Sequence, residues 1–261
     1  MRVFDFTNAI VREPAASVVN GLREDTSSVP RFEKIVAEHS TYAAALREAG
    51  VEIDVLPPLE AFPDSVFVED PALVLPEGAI LLRPGAPSRL GEREHMRAQL
   101  TRHFSHISEL EEGEYVDGGD VLVTTQTIFI GLSARTNRAG ADALIEKLGA
   151  LGRTARIAET PPGILHFKTA SSLLDEATIL ATEAMAASGV FAGFRILSVP
   201  PDEIAAANAL RVNDTVFVGA HYPRTADMLA GAGFAVRPLP VSEVAKLDAG
   251  LSCMSLRWTR R

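Results

Sequence analysis

The sequence predicts an α/β propeller: five ββαβ-type units arranged with pseudo-symmetry around a central channel. Three observations carry this expectation. A polar residue followed by two short apolar runs recurs along the chain, helical patterns separate these hairpins, and a further short strand pattern follows the clearest helices. Units of this kind placed radially leave few exposed sheet edges and enclose a channel.

Taken in order, the N-terminal stretch RVFDFTNAIV has β-branched and aromatic residues but no hairpin partner nearby. Phe32, Ile35, Val36, Tyr42 and Leu46 share one face of a helix that ends at Gly50, before the strand Val51-EIDVL. The hairpins read as Asp70-PALVL-PEG-AILL, Asp120-VLV-TTQ-TIFIG, Ser171-SLL-DEA-TILA and Asn208-ALRV-ND-TVFVG. A second helix is expected from Asn137 to Leu148, with Asn137 as N-cap and Gly149 as stop. A third runs from Thr225 to Ala232, ahead of Gly233 and the strand Phe234-AVRPL. Cys253-MSLRW supplies half of a fifth hairpin, and the N-terminal stretch can pair with it to complete that unit. With no Ser/Gly linker or composition shift, residues 1–261 are expected to form one domain. The polar, glycine-bearing loop 20–29 suits a mobile lid over the channel.

Composition narrows the function classes. A hydrophobic content of 47% over 261 residues marks an ordered globular chain, and the net charge of −9 argues against a nucleic-acid surface. That charge suits a cationic small molecule, although acidic globular proteins are common. The first residues lack a basic region followed by an apolar run, and no apolar run reaches the length of a membrane span. One cysteine excludes an internal disulfide and fits a reducing cytoplasm. The six histidines form no cluster with zinc spacing, so no metal is expected.

The candidate residues sit at the heads of the hairpins. Cys253 follows Asp248 and Gly250 and precedes the alternation Met254-Leu256-Trp258, which places it where a turn meets a strand. A free cysteine is ordinarily a small buried hydrophobe; backbone N–H groups or a cation at a strand mouth would instead lower its pKa. Asp64, Glu69 and Asp70 surround the apolar stretch Val66-Phe67-Val68, which is costly unless the carboxylates are solvated or matched to a cation. Asp117 and Asp120 flank a Gly-Gly pair that permits close backbone approach. A calcium loop is a rival there, but the EF-hand ligand spacing and terminal glutamate are absent. His166 lies in the apolar Gly163-ILHFKT stretch, where a satisfied core histidine is the ordinary outcome. Arg89 and Arg135 follow the first two hairpins; two converging arginines could clamp a carboxylate.

In order, FPDSVFVEDP, EYVDGGDVL, GLSARTN, LHFKT and DAGLSCMSL resemble the dimethylarginine dimethylaminohydrolases of the guanidino-modifying, or pentein, superfamily. The resemblance spans essentially the whole chain and implies the same five-bladed propeller. It implies Cys253 as nucleophile, His166 as general acid/base and Asp117 as the acidic partner of that histidine. Asp70 and Glu69 would engage the guanidinium, and Arg89 and Arg135 the α-carboxylate. Asp64, with the carbonyls of Leu22 and Leu247, would hold the α-amino group. The reaction so implied converts Nω-methylated arginine to citrulline and a methylamine through a covalent thiouronium, with no cofactor.

Two rivals stand beside this reading. Arginine deiminases use the same nucleophile on free arginine, but typically carry an aspartate two residues after the histidine, where this chain has Lys168. They are also longer. Non-catalytic propellers such as the ribosome anti-association factors have no reason to combine Cys253, His166, Asp117 and two arginines. A monomer and a homodimer are equally compatible with the sequence.

Overall fold

In each sheet the outer strand is the least buried of the three, and this contrast reveals the radial arrangement. The computed structural model describes residues 2–260. In chain order it contains β1 (Asn8–Arg12), α1 (Phe32–Glu48), β2 (Glu52–Leu56), β3 (Ala72–Leu75), β4 (Gly78–Leu81), α2 (Glu92–His103) and β5 (Ile107–Glu109). There follow β6 (Val121–Val123), β7 (Ile128–Leu132), α3 (Arg138–Ala150), β8 (Ala155–Glu159), β9 (Ser171–Leu173), β10 (Thr178–Ala181), α4 (Glu183–Ala187) and β11 (Arg195–Ser198). The last elements are β12 (Leu210–Val212), β13 (Thr215–Gly219), α5 (Pro223–Gly231), β14 (Ala235–Leu239) and β15 (Leu256–Trp258).

Among the described residues the strands make five three-stranded sheets of one design: an antiparallel hairpin whose second strand also pairs in parallel with the strand after the helix. The middle strands β1, β4 and β10 are buried throughout, whereas the outer strands β2, β5, β8, β11 and β14 are mixed or half-exposed. The inner strands β3, β6, β9, β12 and β15 all border one central cavity of about 180 Å³. The chain is therefore a five-bladed α/β propeller, with each blade running outward from the axis.

Five hydrophobic clusters fill the five seams between blades. Leu75 and Ile80 meet Val121 and Ile130 in one seam, and Leu122 and Phe129 meet Leu173 and Ile179 in the next. The ring closes where Ala9, Tyr42 and Leu46 pack on Val212, Phe217 and Leu239. As the sequence suggests, the first blade is completed by the far end of the chain: β15 pairs antiparallel with β1, setting Ile10 opposite Leu256. Interdigitated apolar seams of this kind are the main favourable term in folding.

The expected helices form, with two differences. Asn137 caps α3 by accepting from Gly140 N at 2.8 Å, but Gly149 lies inside that helix. The left-handed residue beyond its end is Gly152, with φ of 74°. The second difference is that α2 and the five-residue α4 were not expected: α2 buries only Met96 and Leu100 as apolar contacts, beside Glu92 and Arg93, so its apolar period is faint.

Trp258 tests ring closure. It is buried against Phe104 and His103 in the seam between the first and second blades. Trp258→Ala should cost about 3–5 kcal/mol in urea unfolding. A loss below about 1 kcal/mol, within the range of a surface change, would show that the closing strand contributes little.

Candidate active site

At one end of the channel the polar heads of the inner strands converge on a cavity of about 290 Å³. Cys253 and His166 share its wall with Asp64, Asp70 and Asp248. Arg89 and Arg135, together with Leu22 and Leu247, complete the part of the wall that the sequence singles out. Of the expected site residues, Asp117 and Glu69 do not line the cavity.

Cys253 occupies the turn before β15, and its sulfur accepts from Gly250 N at 3.5 Å and Asn208 Nδ2 at 3.8 Å. Asn208 also accepts from Ser252 N at 3.1 Å, so the head of the neighbouring blade holds the thiol's turn on both sides. The sequence reading placed Asn208 at a hairpin head but gave it no part in the site. Backbone donors do reach the sulfur, yet the thiol is not acidified. Burial, followed by the negative field of Glu69 and Asp70, pushes it up to about 11, against relief from Gly250 N–H and Lys168.

His166 Nε2 lies 2.9 Å from Asp117 Oδ2, and the other oxygen of Asp117 accepts from Gly85 N at 2.7 Å. Burial alone would lower the imidazole's pKa; the Asp117 hydrogen bond and the charges of Asp70 and Asp120 raise it to about 9. Asp70 accepts from Gly119 N at 2.9 Å and is paired with Arg89. Burial would raise this carboxyl, but Arg89 and then His166 hold it below the usual carboxylate range. The Gly-Gly pair makes this proximity possible. A Cβ on Gly119 would stand 2.9 Å from His166 Cγ, and one on Gly118 would collide with the Glu69 carbonyl. Asp70, Asp117 and His166 bring two carboxylates and an imidazole within 4.8 Å, a set that could hold a cation. With the imidazole protonated up to about pH 9 and its Nε2 bonded to Asp117, that nitrogen offers no lone pair to a metal.

Two expectations change. The Glu69 carboxylate points away from the Cys253 cavity. It receives Lys168 Nζ at 2.6 Å, Ser252 Oγ at 3.0 Å and Arg257 Nη2 at 3.3 Å, and it borders the cavity at the opposite mouth. Glu69 and Asp70 are chain neighbours sent to opposite sides, and of the two only Asp70 borders the Cys253 cavity. Arg89 is the second change. Its Nε and Nη2 bond Glu92, Nη2 also donates to the Asp64 and Phe67 carbonyls, and Nη1 bonds Asp70. The Arg89 fork is thus committed to the protein, whereas the Arg135 guanidinium has no side-chain partner among the described residues.

Residues 22–24 of the loop 20–29 line the cavity and are tied to its wall through two carboxylates. Leu22 N donates to Asp64 Oδ1 at 2.9 Å, and Glu24 N donates to Asp248 Oδ2 at 2.6 Å. Asp248 itself adopts the left-handed conformation, with φ of 52°.

Comparison with known proteins agrees with this geometry. A family model described as eukaryotic N,N dimethylarginine dimethylhydrolase matches residues 8–183. The chain is 39% identical over 257 residues to the N(G),N(G)-dimethylarginine dimethylaminohydrolase of Pseudomonas aeruginosa, covering 97% of this chain and 100% of the relative. A solved structure of a cysteine-to-serine variant of the Pseudomonas aeruginosa enzyme, complexed with citrulline, superposes with a TM-score of 0.94 at 38% identity, covering 97% of this chain and 100% of that one. A crystal structure of a histidine-to-glycine dimethylarginine dimethylaminohydrolase, as an adduct with S-methyl-L-thiocitrulline, gives the same TM-score and identity over 97% and 99% of the two chains.

The raised His166 pKa links to stability. An imidazole at about 9 when folded and near 6.5 when unfolded stabilises the fold fully below pH 6.5 and loses that contribution as pH rises through 9. The stability gap between wild type and His166→Asn should therefore narrow by about 3 kcal/mol from pH 6 to above pH 9 in urea unfolding. A gap independent of pH would show that the fold does not hold this imidazole protonated.

Proposed function

Because the chain belongs to the dimethylarginine dimethylaminohydrolase family, we propose that it hydrolyses Nω-methylated arginine to citrulline and dimethylamine or methylamine through a covalent intermediate on Cys253. The observation that carries this reading is the single cavity joining the Cys253 thiol, the Asp117-bonded His166 and the Asp70 carboxylate.

The free site holds a thiol and an imidazolium at neutral pH, since their pKa values are about 11 and about 9. A guanidinium seated on Asp70 offsets the negative field that keeps the thiol protonated, so substrate binding itself favours the thiolate. The thiol gives up its proton to solvent as the substrate binds, and the Cys253 thiolate attacks the guanidinium carbon, forming a C–S bond and a tetrahedral adduct. His166 donates its proton to the methylated nitrogen as the C–N bond breaks, and dimethylamine or methylamine departs. The imidazole, now neutral, takes a proton from the incoming water as that water attacks the thiouronium carbon. Collapse breaks the C–S bond, the adduct's hydroxyl proton leaves to solvent as the urea carbonyl forms, and citrulline departs as the thiolate returns. Asp117 holds the ring in place through both steps.

At the other end of the substrate, Arg135 receives the α-carboxylate, since its donors are open to the cavity. Asp64 receives the α-ammonium with the oxygen not taken by Leu22 N, helped by the Leu22 and Leu247 carbonyls. Arg89 acts by holding Asp70 and the wall in place. Lys168 supports a methylated substrate over free arginine: its amine is drawn to Glu69 on the far side, so no carboxylate stands where the second guanidinium edge would lie. The lone thiol is free, which suits the reducing cytoplasm proposed for this enzyme.

Citrulline release from asymmetric dimethylarginine, monomethylarginine and arginine, measured side by side, tests the reading. The methylated substrates should give the higher kcat/KM, and Cys253→Ser should abolish turnover while still binding citrulline. Preferred turnover of arginine would shift the activity to the deiminase type. Arg135→Ala should raise KM for the full amino acid by about tenfold to a hundredfold, the range for a lost hydrogen bond to a charged group. An equal penalty with decarboxylated substrate would show that Arg135 does not hold the carboxylate. We further propose that residues 20–29 form the lid of one continuous domain; their amide exchange should slow when citrulline saturates Cys253→Ser, and unchanged exchange would exclude closure.

A further inference from the structure

Asp120 is fully buried, heads the inner strand β6, and touches neither the Cys253 cavity nor the opposite one. Its three hydrogen bonds reach two separate parts of the site. Oδ1 accepts from Phe167 N at 2.8 Å, the amide immediately after His166. Oδ2 accepts from Ser133 Oγ and Thr136 Oγ1, each at 2.6 Å. Those hydroxyls are the frame of the turn that carries Arg135. Ser133 Oγ accepts in turn from Arg135 N at 3.0 Å and Thr136 N at 3.2 Å, and Thr136 Oγ1 accepts from Asp117 N at 3.2 Å.

We infer that Asp120 is a positioning residue that fixes the acid/base segment at His166 and the carboxylate-binding turn at Arg135 relative to each other. The inference rests on the roles proposed above for His166 and Arg135. A substrate held at both ends must place its guanidinium carbon between Cys253 and His166, and small errors in such placement are costly in rate. One rigid carboxylate bonded to both segments sets that spacing from outside the cavity. A carboxylate is needed because both hydroxyls already act as acceptors for backbone amides, so each must donate to Asp120. An amide nitrogen at Oδ2 could not receive either. The Asp120 charge also faces His166 from beneath, together with Asp70 and Asp117, and stabilises the imidazolium.

The test compares wild type with Asp120→Asn, Ser133→Ala and Ser133→Thr, using citrulline release and calorimetric binding of citrulline in a Cys253→Ser background. Asp120→Asn should raise KM and weaken citrulline binding by about tenfold, the scale of a lost hydrogen bond to a charged group. It should also lower kcat and move the high-pH limb of the kcat profile to lower pH, because the imidazolium loses a neighbouring negative charge. Ser133→Ala cuts only the arginine branch. It should raise KM and weaken citrulline binding with the high-pH limb in place, and Ser133→Thr should restore both. If folded Asp120→Asn keeps wild-type KM, citrulline affinity and pH limb, the inference is overturned. If Asp120→Asn does not fold, Ser133→Ala decides: weakened citrulline binding that Ser133→Thr restores supports the inference, and unchanged binding overturns it. Failure of wild type to release citrulline from any methylated arginine would instead overturn the proposed reaction.

Discussion

The structure depends above all on matching carboxylates that the fold takes out of water. Asp64, Glu69, Asp70, Asp117 and Asp120 are all buried around the channel. An unmatched buried charge costs several kcal/mol, and removing one partner of a buried pair typically costs about 3–5 kcal/mol. The blades therefore carry a counter-group for four of them. Arg89 serves Asp70, Lys168 and Arg257 serve Glu69, His166 serves Asp117, and three protein donors serve Asp120. The Asp64 carboxylate accepts from the Leu22 amide, with the Arg89 charge nearby, and Asp70 retains a face on the cavity. The arrangement leaves unfinished solvation where a cationic amino acid would bind, and the same negative field holds the thiol protonated until that cation arrives.

This explains why the acidity of the thiol does not follow from its local sequence. A thiol beside backbone N–H groups at a strand mouth reads as acidified, and the donors are present at Gly250 and Asn208. Burial and two nearby carboxylates outweigh them. Local sequence shows the donors; the opposing charges arrive from blades far away along the chain. Arg89 and Glu69 follow the same logic. Their positions next to the site were legible in the motifs, but the partners that occupy them, Glu92, Lys168, Ser252 and Arg257, come from a helix, a loop and a strand whose convergence no local pattern states.

The fold was more legible than the electrostatics. Four hairpins carry their own turn chemistry and apolar alternation, so four ladders could be read locally, and the pairing of the N-terminal strand with Leu256–Trp258 followed from the two half-units left over. The helix at Glu92–His103 was not, because Arg93 and Glu92 are buried by pairing with charges elsewhere and Met96 and Leu100 alone do not mark a period. At α3 two glycines compete for the stop, and the one with positive φ lies three residues beyond the other. Asp120 was visible beside its glycines, yet its three donors lie in two later segments.

Completion of the first blade by the last strand has a consequence for biosynthesis. Cys253 lies just ahead of β15, and the ring cannot shut until β15 reaches β1 across nearly the whole chain. Contacts of such long sequence separation form late, because their loop entropy must be overcome first. A ribosome making this chain therefore displays four blades before the nucleophile exists, and the thiol enters its pocket in the event that closes the ring. Nascent or prematurely ended chains hold a partial ring with no reactive sulfur, so chemistry and quality control share one checkpoint.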